Sequence, residues 1–417
     1  TTPDIHSYMA VNSLNYLKGQ LDEVRVPLYP FLMDVAKQIF TETFRFNAII
    51  LFQICISFIA IIYFYKALTY VLKNKYIVYA ITFLYGVSPA IIGWDKAILT
   101  ESLALSGSVF FIYLMLNYLH RPNIKIIVQS SILILVLIFL RPTFLILLPI
   151  FIVFLIAKFI LDSSKEEKAI IKKAIIVPIV VSGMVLGYAF LFYNQFGNLS
   201  LSNTLFFQNI FMIVQKDYYK NSNDEGLIKI IDEKILEEKG QFQNAIAAIH
   251  ENRTREEIHE FISYVNSKSL PQIISNNIKT GLRLMDVKLP QNTYYSFNKY
   301  EDIFIKQLEV QYYQIDTVWG KVVDLFLRGI ANIITFGQVY LIIACGMIAI
   351  FYTMIRHKKI LWIECGLISV ILLTVVSTII GTYAEYGRTA VCLLPYCYIA
   401  IARGIDFVIK KNNKFEV

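Results

Sequence analysis

Charge is scarce in this chain. Only 17% of its 417 residues are Asp, Glu, Lys or Arg, against 56% hydrophobic residues and a mean hydropathy of +0.56. A soluble globular domain carries roughly 25% charged residues, so this composition excludes an ordinary one. Cysteine is sparse as well. Cys55, Cys345, Cys365, Cys392 and Cys397 all lie in apolar runs without a CxxC pair, which argues against a disulfide framework or a zinc site and for simple packing. There is no P-loop, GxGxxG or HExxH, and His250-Glu251 lacks a second histidine at the required spacing. No internal repeat is visible, and the period-2 alternation of a membrane barrel is missing.

What is abundant is apolar sequence in long runs. An α-helix needs roughly 20 such residues to cross a hydrocarbon core of about 30 Å, and helices satisfy their own backbone there. Nine runs qualify, over 46–73, 76–94, 99–119, 124–140, 143–161, 170–194, 326–355, 360–382 and 388–406. The expected class is therefore an all-α polytopic membrane protein. Its divisions would be an outer juxtamembrane segment (1–45), six transmembrane helices (46–194), a large extracytoplasmic region (195–325), three further helices (326–406) and a cytoplasmic tail (407–417).

The net charge of +8 is distributed as an orientation signal rather than as a nucleic-acid surface. Lys73 to Lys75, His120 to Lys125, Lys165 to Lys173, Arg356 to Lys359 and Lys410 to Lys414 fall in every second loop, as the positive-inside rule requires of cytoplasmic segments. The N-terminal stretch, the Trp94-Asp95-Lys96 turn, Arg141-Pro142, the 195–325 region and Gly381 to Arg388 then face outward. Within the large outer region, Glu225 to Lys239 has apolar residues at helical spacing and predicts an amphipathic surface helix, with a second over 241–265. Abundant Ile, Lys and Asn point to an AT-rich bacterial genome, and the expected location is a bacterial cytoplasmic membrane with the active site on its extracytoplasmic face.

The unusual polar residues collect on the outward side: Asp4, His6, Arg25, Tyr29, Trp94, Asp95, Lys96, Glu101, Arg141, Glu385, Tyr386 and Arg388. Glu101 opens an apolar span with no charge behind it. It is either a carboxylate placed by the helix macrodipole or a working acid, and the two roles are compatible. Asp4 follows Thr2-Pro3, an acceptable helix start, yet Asp4, Tyr8, Asn12 and Asn15 would share one face, which suits a functional surface better than a cap. Arg25 precedes Pro27 and Pro30, which stiffen the backbone. A guanidinium held there suits a phosphate or a lipid headgroup, and Arg388 beside Tyr386 reads alike. His6 near Asp4 could assist a base or a metal.

These residues, in this order, resemble the GT-C class of membrane glycosyltransferases, in particular the branch of protein O-mannosyltransferases and aminoarabinose transferases. The resemblance rests on Pro3-Asp4-Ile5-His6-Ser7-Tyr8, Arg25-Val26-Pro27-Leu28-Tyr29-Pro30, Thr100-Glu101-Ser102-Leu103, and Tyr386-Gly387-Arg388 ahead of a last span with Pro395. It covers essentially the whole chain, although no single motif is specific. It implies transfer of a sugar from a polyprenyl-phosphate donor to a glycan, lipid or protein acceptor at the extracytoplasmic face. Asp4 and Glu101 would be catalytic, with Asp4 the base. Arg25, Arg388, Lys96 and Arg141 would hold the donor phosphate, and His6, Tyr8, Tyr29, Glu385 and Tyr386 would contact substrate. A divalent metal is the one cofactor the resemblance brings in, and Ile5 removes the second of the paired acids that many members carry. The family also has a helix directly before its first outer loop, so one is expected upstream of Thr1. A polysaccharide polymerase or ligase fits less well, because the acid-bearing first segment is unusual there. A transporter or flippase predicts charges near the midplane and repeats, which this chain does not show.

Overall fold

The computed structural model describes residues 8–41, 44–161, 164–237, 248–249, 251–283, 338–356, 362–381 and 391–412. They are helical without any strand among them. After a single turn of helix at Leu14–Leu17 come α1 (Leu28–Ile39), α2 (Arg45–Val71), α3 (Lys75–Gly86), α4 (Pro89–Asp95), α5 (Glu101–His120), α6 (Ile124–Leu140), α7 (Leu147–Leu161), α8 (Lys165–Ala174) and α9 (Ile176–Phe196). Then follow α10 (Thr204–Gln215), α11 (Glu225–Glu237), α12 (Arg255–Arg283), α13 (Gln338–Arg356), α14 (Trp362–Gly381) and α15 (Leu394–Asn412). Arg45–Val71, Glu101–His120, Pro142–Leu161 and Lys165–Phe196 are long and apolar enough to cross a membrane, and apolar stretches over Ile124–Leu140, Ile342–Ile355 and Trp362–Leu373 are shorter. The expected class, an all-α polytopic membrane protein, is the one observed.

The pattern of burial in α2 explains why. Ile49, Gln53, Ser57, Ala60, Phe64, Ala67, Leu68 and Val71 form a buried stripe at helical spacing. The opposite face leaves Leu51, Phe52, Phe58 and Ile62 uncovered. A helix apolar on both faces is at rest only where its outer face meets hydrocarbon. Inside the bundle, small residues let helices approach closely. A Cβ on Gly107 of α5 would lie 2.3 Å from Leu137 of α6, and one on Gly404 of α15 would lie 2.8 Å from Ala349 of α13.

Helix ends follow local chemistry. The side chains of Asn74, Asn123 and Ser164 accept from the backbone N–H groups of Tyr76, Lys125 and Glu167 respectively, capping α3, α6 and α8. The run expected as one span over 76–94 is instead two helices, because Ser88 is extended and Pro89 begins α4. The residue before a proline disfavours the α region, and the chain re-enters as a short helix ending at Asp95.

A second apolar core lies in the segment after α9. Phe206, Ile210, Ile213, Leu227, Ile231, Ile258, Phe261 and Val265 pack together from α10, α11 and α12. The amphipathic helix expected from Glu225 is present as α11, started by Asp224, whose Oδ1 accepts from the Leu227 N–H. Of the second helix expected over 241–265, residues 248–249 and 251–252 are helical, and after a break at Arg253-Thr254 α12 runs on from Arg255 to Arg283. Thr254 and Glu257 form a reciprocal capping box there, with Glu257 accepting from the Thr254 N–H at 2.7 Å.

Candidate functional site

Antiparallel α5 and α6 bring Glu101, the first residue of α5, beside Arg141, which follows the last residue of α6. The Arg141 guanidinium donates to Glu101 Oε1 at 3.1 Å, with the Glu101 side chain fully buried and that of Arg141 11% exposed. Two desolvated opposite charges persist because each compensates the other, and removing either leaves a buried charge unpaired. Arg141 has five N–H donors in a planar fork, and its partial exposure leaves that fork on the rim of the bundle.

Next to this pair, a polar web joins α1 to the α4–α5 connection. Gln53 lies two turns inside α2 and is fully buried. Its Oε1 accepts from the Tyr29 hydroxyl at 2.9 Å, and its Nε2 donates to the carbonyls of Ala97 at 2.7 Å and Asp95 at 3.2 Å. Burial pushes the Tyr29 phenol well above its ordinary pKa, and the nearby Tyr8 and Glu101 add to this. Tyr29 is therefore a permanent donor, and Glu101 lies within electrostatic reach of it. The Asp95 carboxylate accepts from Ser102 Oγ at 2.6 Å. Burial raises its pKa, while hydrogen bonds from Ser102 and Ser57 work in the opposite direction.

Arg25 reaches the same web from outside the bundle. Its guanidinium lies 4.1 Å from the Tyr8 ring centroid and donates to the Tyr8 hydroxyl at 3.1 Å. Tyr8 in turn meets Tyr29 edge-on at 4.8 Å. The Arg25 backbone is held on both sides, since its N–H donates to Asp22 Oδ1 and its carbonyl accepts from the Tyr16 hydroxyl at 2.6 Å. The preceding residues are fastened to the segment after α9. Asn203 donates to the Glu23 carbonyl and carboxylate at 2.7 and 2.8 Å, and Thr204 donates to the Val24 carbonyl. Arg25 is thus a cation on a fixed backbone, half-buried against an aromatic face.

Of the residues singled out in the sequence, Tyr8, Arg25, Tyr29, Glu101 and Arg141 come together at this end of the bundle. Lys96 is exposed on the turn whose neighbours Asp95 and Ala97 are buried. Asp4, His6, Glu385, Tyr386 and Arg388 lie outside the described residues. The described chain beyond Arg388 does return to this region, where Tyr398 bonds to Ser88 between α3 and α4. Gln53 was missed as a site residue. A glutamine inside a span of twenty-seven residues was the available signal, because a buried amide must find partners. Asp95 was noted as outward-facing without being given a role. Among the described residues, no group of three or more His, Cys, Asp or Glu side chains is placed to hold a metal ion.

No protein-family model matches the chain, and no curated protein matches it by sequence. Among solved structures, it is similar to the Archaeoglobus fulgidus oligosaccharyltransferase in complex with zinc and sulfate, at 13% identity and a TM-score of 0.48, over 93% of this chain and 41% of that one. It is similar to the same enzyme tethered through a disulfide to an acceptor peptide with an NVT sequon, at 15% identity and a TM-score of 0.44, over 94% and 42% of the two chains. A third similar structure is the archaeal oligosaccharyltransferase AglB from Archaeoglobus fulgidus with an inhibitory peptide and a dolichol-phosphate, at 14% identity and a TM-score of 0.44, over 94% and 43%. The chain spans less than half the length of each of these structures.

Proposed function

We propose that this chain is a membrane glycosyltransferase that moves a sugar from a polyprenyl-phosphate donor to an acceptor at the extracytoplasmic face. The observation that carries the reading is the convergence of Arg25, Arg141, Glu101, Asp95 and Tyr29 at one end of an apolar bundle. Fixed cations at a membrane surface suit a lipid phosphate, and the Glu101 carboxylate beside Arg141 suits holding that cation in place. The order of motifs that resembles the GT-C class supports the same assignment.

In the proposed reaction the acceptor hydroxyl attacks the anomeric carbon of the donor sugar. Its proton passes to Asp4, and the bond from that carbon to the phosphate oxygen breaks. Polyprenyl phosphate departs with the bonding pair, and the negative charge that gathers on it is met by Arg25, Arg141 and Arg388. Glu101, already paired, orients the Arg141 guanidinium toward the leaving phosphate rather than taking the proton itself. Tyr8 and Tyr29 form the wall against which Arg25 is held, with Lys96 a further cation at the rim. His6, Glu385 and Tyr386 complete the substrate contacts.

The test is transfer of radiolabelled sugar from a polyprenyl-phosphate donor by membranes that carry the protein. Wild-type protein transfers label, Asp4→Asn loses at least about a hundredfold in rate, and Arg25→Gln loses less while raising the donor KM. Wild-type rates from Asp4→Asn would overturn the base assignment. Solute uptake without transfer from any such donor would replace the reading with a transporter.

A further inference from the structure

The far end of the bundle, opposite Glu101, carries a surface that the transfer reaction does not use. On α2, Tyr63, Lys66 and Tyr70 succeed one another at helical spacing, and on α5 Phe110, Tyr113, Asn117 and His120 do the same. The two stripes face each other. The Tyr63 ring meets Phe110 at 5.3 Å and Tyr113 at 4.8 Å, both edge-on. Tyr70 donates to Asn117 Oδ1 at 3.1 Å and lies 4.8 Å from the His120 ring. Lys66 is exposed, its ammonium 4.9 Å from the Tyr63 centroid, and the aromatic rings around it are only partly buried.

The helices that form the seam contribute charge of one sign. Lys66, Lys73, Lys75, Arg121 and Lys125 gather at this end, and no Asp or Glu occurs between Thr43 and Trp94 or between Ser102 and Leu161, while the carboxylates of Glu167 and Glu364 at this end are paired with Lys158 and Arg403. Lys66 sits five residues before the end of α2, roughly 7.5 Å along its axis. That depth suits an ammonium reaching the headgroup layer. Exposed Phe58, Ile59 and Ile62 continue the same helix toward the hydrocarbon. Asn117 accepts at its oxygen, which leaves its amide N–H groups to donate elsewhere. A cation, amide donors, phenol hydroxyls and an adjoining hydrocarbon-facing surface are complementary to a phosphodiester with attached acyl chains.

We propose that this seam binds the headgroup of an anionic phospholipid from the leaflet opposite the Glu101 end. Lys66 contacts the phosphate, Asn117 and the tyrosines flank it, and the acyl chains run along Phe58 and Ile62. The site depends on the membrane reading of the fold and is independent of sugar transfer.

Native mass spectrometry of the detergent-purified full chain tests it with phosphatidylglycerol and phosphatidylcholine offered at equal concentration. The expected result is preferential retention of phosphatidylglycerol, reduced about fivefold by Lys66→Gln and restored by Lys66→Arg. Lys165→Gln, at the same end but outside the seam, leaves retention unchanged. Equal retention of both lipids overturns the proposal, as does an equal loss in Lys165→Gln. Displacement of the lipid by millimolar inorganic phosphate also overturns it, because the site would then take free phosphate. Since Lys66 is exposed and Asn117 is not, Asn117→Ala serves as a second variant only if its melting temperature matches wild type, and a loss of phosphatidylglycerol is expected there too.

Discussion

At one end of the bundle Arg141 pairs with Glu101, and at the other Lys158 pairs with Glu167 at 3.7 Å and Arg403 with Glu364. The pairs at that other end join neighbouring helices. Lys158 packs over the Trp362 ring at 5.3 Å, and both its side chain and that of Glu167 are 9% exposed. They join α7 to α8 and to the start of α14, as struts between neighbouring helices. The Glu101–Arg141 pair has the same chemistry in a different setting. It borders a web that draws Tyr8 and Arg25 from the first segment, Gln53 from within α2, and Asp95 and Ser102 from the α4–α5 connection. What sets the Glu101 end apart is the breadth of its web, which draws polar side chains from the first segment, α2 and the α4–α5 connection to one place.

The comparison breaks most sharply under paired deletions. Arg141→Met leaves Glu101 buried without its cation and Lys158→Met does the same to Glu167, so each is expected to cost about 3–5 kcal/mol. Replacing both members by apolar or neutral residues of similar size restores stability at either end. Lys158→Met with Glu167→Gln then keeps sugar transfer near wild type, whereas Arg141→Met with Glu101→Gln folds normally and loses transfer. Thermal unfolding in detergent and the radiolabel assay on the same preparations decide it. Equal activity in the two double variants would make the Glu101 pair another strut.

A smaller effect is expected at Gln53. Gln53→Leu removes the acceptor for Tyr29 and the donor to Ala97 and Asp95, stranding buried polar groups at about 1–3 kcal/mol. If the web aims Arg25 and the α4–α5 turn at a common donor, Gln53→Leu also raises the donor KM more than it lowers kcat. A change in stability with unaltered kinetics would reduce Gln53 to a packing residue.

How far this was legible depended on the range of the cause. Hydropathy acts locally, so α2, α5 and α6 begin and end within a few residues of the runs from which they were expected. The break in the 76–94 run was written in Gly86-Val87-Ser88-Pro89, where proline chemistry outweighs apolar length. Glu101 and Arg141 stood out separately as charges at span ends, but their pairing is a consequence of α5 and α6 being antiparallel and adjacent. Gln53 was legible only as a polar residue that needs partners, because those partners are a tyrosine 24 residues earlier and carbonyls 42 and 44 residues later. Likewise, nothing local about Asn203 announces that it fastens the backbone just before Arg25.

The finest discrimination between the two ends comes from Asp95, which is 8% exposed and has hydroxyl donors where Glu167 and Glu364 have cations. Burial raises its folded pKa above the unfolded value, so between the two values the folded chain binds more protons than the unfolded chain. Stability due to this group is then highest at low pH and falls as pH rises through that window, starting from about pH 4. Asp95→Asn does not titrate, and its oxygen still accepts from Ser102. The melting temperature of Asp95→Asn relative to wild type should therefore be smallest in acid and grow toward neutrality. Ser102→Ala, which deletes a bond that favours the ionised form, should steepen the wild-type decline. A difference that stays constant with pH would mean that Asp95 ionises as freely as a surface carboxylate, and the distinction between this end and the other would then rest on Arg141 and Gln53 alone.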